Sequence, residues 1–236
     1  MRAIQIIGFK KSGKTSLALD LALELKRRGV NVACAKFTSH GLDKADTDTA
    51  RMLEQGVPVA GLGKDDAAVF WPEGRKLTDL VPLLRAEVLV VEGGKTLGFM
   101  PRVLALREGD PATEAVELGA DLALGSYGPV RAPGLTGLET VAQVADLVLE
   151  KGFILPGLNC GACGREDCRG LAVEIVAGEA TFDDCAASRP GLEIKVNGQV
   201  MALNPFVDRI ISASIAGMIK ELRGWTPGPV EIRLET

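Results

Sequence analysis

No apolar stretch in this 236-residue chain approaches the roughly 18 to 20 residues that a membrane-spanning helix needs. Basic excess is lacking too: the formal charge is −4, so no positive field favours DNA or RNA. Neither a membrane span nor a nucleic-acid partner is therefore expected. Aromatic residues make up only 4% against 28 glycines, which suits Val, Ile, Leu and Ala strands joined by tight turns. The opening MRAIQIIGFKKSGKT runs from a strand straight into a loop and lacks a leader-cleavage pattern. A cytoplasmic setting is expected, where clustered cysteines more often hold a metal or a cluster than form disulfides. What is present is ordinary globular composition, long enough for one large domain or a domain with an appendage.

Apolar strands alternate with amphipathic helices up to about Gly152. AIQII, VNVACAKF, AAVFW, EVLVVEG, RVLALRE and DLALGSYG read as strands. Helices are expected from about Lys14 to Arg28, up to Gln55, over LTDLVPLLRA and over LETVAQVADLVLEKG. This order predicts an α/β domain over 1–152 with a mostly parallel sheet between helices. A four-cysteine segment follows at 153–187. The remainder, 188–236, reads as a hairpin about Asn197-Gly198, a helix capped by Asn204 with Pro205 at its first position, and a closing strand VEIRLE. One apolar face is expected to be buried there, joining Ile194, Val196 and Val200 to Phe206, Val207, Ile210, Ile211, Ile215 and Met218.

Residues 8–15, GFKKSGKT, fit G-x-x-x-x-G-K-[ST], with a strand before and a helix after. Backbone N–H groups of such a loop curl round the β-phosphate, and the helix presents its positive N-terminus to it. The first domain is thus expected to be a P-loop NTPase domain. Gly8 and Gly13 permit the turn, Lys14 meets the β- and γ-phosphates, and the Thr15 hydroxyl takes a place on Mg²⁺. Phe9, Lys10, Lys11, Ser12 and Ser16 complete the expected nucleotide-binding set, with Lys10 and Lys11 as solvated lysines that help attract phosphate.

Glu92 ends an apolar strand before Gly93 and Gly94, and is expected to hold Mg²⁺ through a water or to orient an attacking water. The polar loop after the second strand offers Asp43, Asp46 and Asp48 as Mg²⁺-side acids, with Asp48 the first candidate to support the metal or its water as catalytic partner of Glu92. A separate Asn-Lys-x-Asp guanine motif is absent. The loop GSYGPVRAPG is the expected seat of the base, and GTP and ATP both stay open. No arginine finger is evident in the phosphate loop, so any hydrolysis is expected to be slow.

The domain resembles the MobB-type adapter proteins of molybdopterin-guanine dinucleotide biosynthesis. The resemblance is carried by GFKKSGKT, KFTSHGLDKADTDTARMLEQGV, VLVVEGGKTLGFMPRVLALR and ETVAQVADLVLE. Lys36, Thr38, His40, Asp48 and Thr49 fall into the family's pattern after the second strand, with Phe37 where the family has a second His. Glu92 and Gly93 match its VEG, whereas its usual Phe-Lys is Gly94-Lys95 here, followed by an insertion before Pro101. The resemblance implies a GTP-binding, Mg²⁺-dependent homodimer that assists molybdenum- or tungsten-cofactor maturation. Its implied partners are a guanylyltransferase or the molybdenum-cofactor enzymes themselves. His40, the only histidine, contacts substrate or phosphate by this resemblance, or is a solvated loop residue.

Cys160, Cys163, Cys168 and Cys185 follow C-x2-C-x4-C-x16-C. Gly161 removes a Cβ clash beside the sulfurs, and a helix beginning at Cys168 returns the chain so that Cys185 can close the site. Four thiolates serve a tetrahedral zinc or a [4Fe–4S] cube. Zinc ribbons favour two C-x2-C pairs, so the wide last spacing favours the cube; disulfides or free thiols are the remaining readings. The segment also resembles a short iron–sulfur module of the corrinoid iron–sulfur protein and of membrane electron-transport subunits, on Cys160, Cys163, Gly164, Cys168, Ala172 and Cys185. Cys34, in an apolar strand, is expected in the core as a small hydrophobe. The expected whole is a MobB-like GTP-binding accessory protein with a [4Fe–4S] module. Its rivals are an NTP-driven maturation or reactivation factor for another metalloenzyme, and a nucleotide-binding redox sensor.

Overall fold

The computed structural model describes residues 1–42, 46–188, 192–196, 198–226, 228 and 230–232. Six strands form a parallel sheet in the order β2-β5-β1-β6-β7-β8: Val32–Lys36, Val88–Glu92, Arg2–Ile7, Arg102–Ala105, Ala123–Tyr127 and Gly137–Leu138. The central strands are buried on both faces, which explains their near-continuous apolar sequences. Helix α1 (Lys14–Arg27) and helix α5 (Val141–Lys151) cover one face, where Leu17, Leu21, Leu25, Val144 and Val148 meet Ile4, Ile6, Val88 and Val90. The other face holds Ala3, Leu89, Val91, Met100 and Leu77, the last from the short helix α3 (Leu77–Leu80). Helix α4 (Pro111–Glu117) packs at the β6 side with Leu104, Leu118 and Ala123. The α/β fold with helices on a parallel sheet stands as the sequence implies.

Three details differ. The run AAVFW contributes β4 (Ala67–Phe70), which pairs antiparallel with β3 (Val59–Leu62) in a separate ribbon after helix α2 (Asp48–Glu54). Alternating apolar runs do not reveal which sheet a strand joins. The stretch LTDLVPLLRA is one α-turn and then a 3-10 turn over Val81–Leu83, because Pro82 cannot continue the hydrogen-bond ladder. Cys34 is exposed, not core: β2 is an edge strand, flanked by a neighbour on one side alone.

The cysteine segment has an apolar centre of its own. Helix α6 (Cys168–Ala177) buries Leu171 and Ala172 against Phe153, Leu155, Cys185, Ala187 and Leu122, so its core continues into the parallel-sheet domain. Beyond it, β9 (Ile194–Val196) and β10 (Gln199–Met201) pair as the expected hairpin; Asn197 of its turn lies outside the described residues. Helix α7 (Pro205–Lys220) is capped by Asn204, whose side chain accepts from the N–H groups of Phe206 and Val207. The expected apolar face is not formed: α7 has no buried residue, and Val196, Val200, Phe206, Ile210 and Met218 are exposed. Val230–Ile232 form no strand, and Arg233–Glu235 of the expected closing strand lie outside the described residues. Among the described residues no helix is long and apolar enough to cross a membrane.

Candidate functional site

The phosphate loop leaves the C-terminal end of the central strand β1 and enters α1, where the crevice of an open parallel sheet opens. Gly13 caps α1 at φ 83°, a left-handed conformation that an L side chain disfavours. No side chain caps α1 and no acid stands in its first turn, so its N–H groups face outward without a resident acceptor. Gly8 is required sterically: a Cβ there would meet the Ser12 Oγ at 2.1 Å and the Ala105 carbonyl at 2.5 Å. The Ser12 hydroxyl is buried and has no hydrogen-bond partner. Lys14 folds back, its Nζ donating to the Phe9 carbonyl at 3.2 Å. Lys10, Lys11, Thr15 and Ser16 are exposed, as the mouth of a binding loop would be.

Glu92, at the end of β5, meets this loop. The Thr15 hydroxyl donates to Glu92 Oε1 at 2.7 Å, and Lys36, at the end of β2, pairs with Oε2 at 3.0 Å. Parallel register explains the meeting, since Lys36 lies opposite Glu92 on one side and Ile6 opposite it on the other. Burial pushes the Glu92 carboxyl up, but the Thr15 and Lys36 hydrogen bonds outweigh it and hold the group below its ordinary value. Such a lowered carboxylate stabilises the fold above its unfolded value of 4.5, and that contribution is lost as the pH falls through the lower folded value. Glu92→Gln should therefore lower the melting temperature at pH 7, with the gap to the parent closing only as the pH falls below 4.5. A pH series of thermal melts checks this; a gap independent of pH would contradict it.

The turn after Glu92 is fixed by a buried polar network. Gln5, wholly buried in β1, donates to the Gly93 and Gly94 carbonyls at 2.7 and 2.6 Å. Arg102, 4% exposed, donates to Gln5 Oε1, to the Leu118 and Lys95 carbonyls at 2.7 and 2.9 Å, and to the Leu97 carbonyl. Sequence reasoning missed this pair. A Gln inside AIQII and an Arg opening RVLAL were the available signal, since buried polar groups must find partners. The ring of Phe37 lies over Gly94, where a Cβ would stand 3.0 Å from it, so the two departures from the family pattern touch in space. Lys95 lies 3.7 Å above the Phe9 ring and Arg107 4.8 Å from its centre, which gathers cations at the lip of the loop.

The polar loop after β2 behaves otherwise. Asp48 opens α2 and is exposed, with Arg51 as an ion-pair partner at 3.8 Å; nothing described links it to Thr15 or Glu92. Asp46 takes a left-handed φ of 65°, His40 is exposed, and Asp43 lies outside the described residues.

All four clustered cysteines line one cavity, walled by Leu158, Leu171, Ala186 and Ala187. Cys185 is buried, Cys163 and Cys168 are half-buried, and Cys160 is exposed at the rim. Positive φ at Asn159, Gly161 and Gly164 lets the loop wrap this tightly. The Asn159 N–H donates to Cys168 Sγ at 3.4 Å, while its side-chain oxygen accepts from the Cys168 N–H at 3.1 Å. Burial pushes the Cys168 thiol up, and the Asn159 N–H opposes that shift. Arg165 ties the turn, bonding the Cys163 carbonyl and Glu174.

A family model for "Putative Fe-S cluster" matches residues 155–187. A protein of Methanocaldococcus jannaschii described as "Putative molybdopterin-guanine dinucleotide biosynthesis adapter protein" is 29% identical, with 100% of this chain and 97% of the relative aligned. A component of an ion-translocating oxidoreductase complex of Cereibacter sphaeroides is 58% identical over 33 residues, 14% of this chain and 18% of that one. The crystal structure of Bacillus subtilis MobB superposes with a TM-score of 0.51 at 23% identity, covering 64% of this chain and 97% of that one. The model for molybdopterin guanine dinucleotide synthesis protein B matches residues 3–121, half of the chain, and the chain belongs to that MobB family.

Proposed function

We propose that this protein is an adapter of molybdopterin-guanine dinucleotide biosynthesis that binds GTP with Mg²⁺ on its first 152 residues and holds a [4Fe–4S] cluster on Cys160, Cys163, Cys168 and Cys185. The observation that carries the nucleotide half is the Thr15–Glu92 contact at 2.7 Å beside an uncapped helix N-terminus. A hydroxyl and a carboxylate at that spacing suit adjacent corners of an octahedral, oxygen-loving cation with bonds of about 2.0–2.1 Å. When bound, Mg²⁺ would neutralise the β- and γ-phosphates together with Lys14. Lys36 holds the second Glu92 oxygen and keeps that carboxylate ionised and oriented. Asp48 has no part in this arrangement beyond its place in the family pattern.

The donor chemistry of the cavity supports a cluster over a single zinc. Four zinc-bound sulfurs at about 2.3 Å from one ion would crowd within about 4 Å of each other. All four thiols line one cavity, and the family model that matches this segment is one of an Fe–S cluster. Thiolates that each meet a different iron of a cube need no such crowding. A homodimer and a guanylyltransferase or molybdenum-enzyme partner belong to the same proposal, on the strength of the family.

Two measurements test it. Protein purified without oxygen should be brown and contain iron and sulfide in equal amounts; stoichiometric zinc without iron would overturn the cluster. Calorimetry should detect GTP binding that requires Mg²⁺ and is weakened by Thr15→Ala. Equal affinity for GTP with and without Mg²⁺ would remove the metal role of Thr15 and Glu92.

A further inference from the structure

Several cations surround the phosphate loop, and two of them are committed to carboxylates. Lys36 is paired with Glu92 at 3.0 Å. Arg107, although near the Phe9 ring, donates through its Nε to Glu114 at 2.6 Å. Lys95 is placed differently. It is exposed, no carboxylate pairs with it among the described residues, and its Nζ rests 3.7 Å from the centre of the Phe9 ring. An exposed contact of this kind is weak beside a charge-assisted bond to a phosphate oxygen. Phe9 thereby holds two ammonium groups at once, Lys95 on its ring and Lys14 on its carbonyl. Lys14 is the residue that meets the phosphates in a loop of this pattern, so Lys95 stands at the same mouth.

The backbone that carries Lys95 is held on both sides. Gly93 and Gly94, at φ 84° and 72°, turn the chain directly after Glu92, and Gln5 holds their carbonyls. Arg102 donates to the Lys95 carbonyl at 2.9 Å and to the Leu97 carbonyl. At Gly98 an added Cβ would stand 2.7 Å from the Arg169 Cβ, so this backbone also rests on α6. With these points fixed, the lysine side chain is the part that can swing. The segment starts from Glu92, the acid beside Thr15, and Mg²⁺ at such a site bridges the β- and γ-phosphate oxygens. A cation arriving from that side meets the outermost phosphate. We infer that Lys95 is a second phosphate-binding residue, which leaves the Phe9 ring when GTP enters and pairs with its γ-phosphate. This rests on the proposed function, with GTP and Mg²⁺ at this loop. With GDP there is no γ-phosphate to draw it, and Lys95 stays on the ring.

The test compares GTP and GDP on the full-length protein with Mg²⁺, by calorimetry on the parent and on Lys95→Gln, which keeps the length of the side chain and removes its charge. Expected is a loss of about tenfold in GTP affinity, the size of one charge-assisted contact, against a change of less than about twofold for GDP. Lys95→Arg, which restores the charge, should recover most of the loss. A second measurement needs no variant. In protein with carbon-labelled lysine, the ring current of Phe9 should shift the protons next to the Lys95 nitrogen upfield in the free and GDP-bound states. A non-hydrolysable GTP analogue should return them to the ordinary lysine position. Equal losses for GTP and GDP, no loss at all, or a Lys95 signal that stays shifted with the analogue would overturn the inference while the proposed function stands. A parent protein that binds no GTP would instead overturn the proposed function, and the role of Lys95 with it.

Discussion

Replacement of all four clustered cysteines by serine is expected to abolish iron binding and to make residues 153–188 accessible to protease, while residues 1–152 still bind nucleotide. The structural reason is the composition of the segment's core. Cys185 is part of it, and Cys163 and Cys168 pack against it, beside Leu155, Leu171, Ala172 and Ala187. A hydroxyl at the buried position of Cys185, and in part at the half-buried ones of Cys163 and Cys168, would lack the metal as a partner, and an unsatisfied buried polar group costs about 1–3 kcal/mol. Against a core this small, such losses are decisive. Limited proteolysis of the four-serine protein is the measurement. A fragment spanning 153–188 that resists as well as in the iron-loaded protein would show that the cluster has no structural part. Protection of 204–220 is not expected in either form, because α7 buries no residue.

Lys14→Ala should weaken GTP binding about tenfold to a hundredfold and leave the iron content unchanged. A hydrogen bond to a charged group is worth about 1.5–3 kcal/mol, and 1.4 kcal/mol is a factor of ten in affinity. In the free loop the Lys14 ammonium donates to the Phe9 carbonyl, so its release towards phosphate is opposed by one hydrogen bond only. Lys95 and Arg107 at the lip, and Lys36 on Glu92, remain in the variant and limit the loss. Calorimetry alongside iron analysis separates the two halves of the molecule. Unchanged affinity would move the nucleotide away from this loop, and simultaneous loss of iron would mean that Lys14→Ala had disturbed the fold.

The loop GFKKSGKT was conspicuous in the sequence because its pattern is a local property. Successive N–H groups, two glycines and the lysine lie within eight positions, and the strand and helix that frame them announce themselves by periodicity. The parallel sheet followed for the same reason, since apolar runs of four to six residues between amphipathic helices have few other homes. Spacing alone likewise gathered the four thiols into one short segment. Glu92 stands out in the sequence because an acid that ends a buried strand is conspicuous, and the fold sets it against Thr15.

What needed the tertiary structure was every pairing between distant strands. Lys36 and Glu92 are 56 positions apart and meet only because β2 and β5 are neighbours in register. Arg102 and Gln5 look like errors in apolar strands until the fold lets Gln5 donate to the Gly93 and Gly94 carbonyls and Arg102 to Gln5 and to the Lys95 and Leu97 carbonyls. Asp48 fits a family pattern, yet helix α2 carries it into solvent beside Arg51. The apolar residues of 194–218 have the spacing of a buried face, but spacing specifies only a direction on a helix, and among the described residues none of α7 is buried. Arg169 had no mark in the sequence at all. Its position follows from Gly98, where the absence of a side chain lets α6 approach a loop 71 residues earlier in the chain. Local chemistry is written in neighbouring residues, whereas contact between the two sites depends on how far the backbones approach, and only packing fixes that distance.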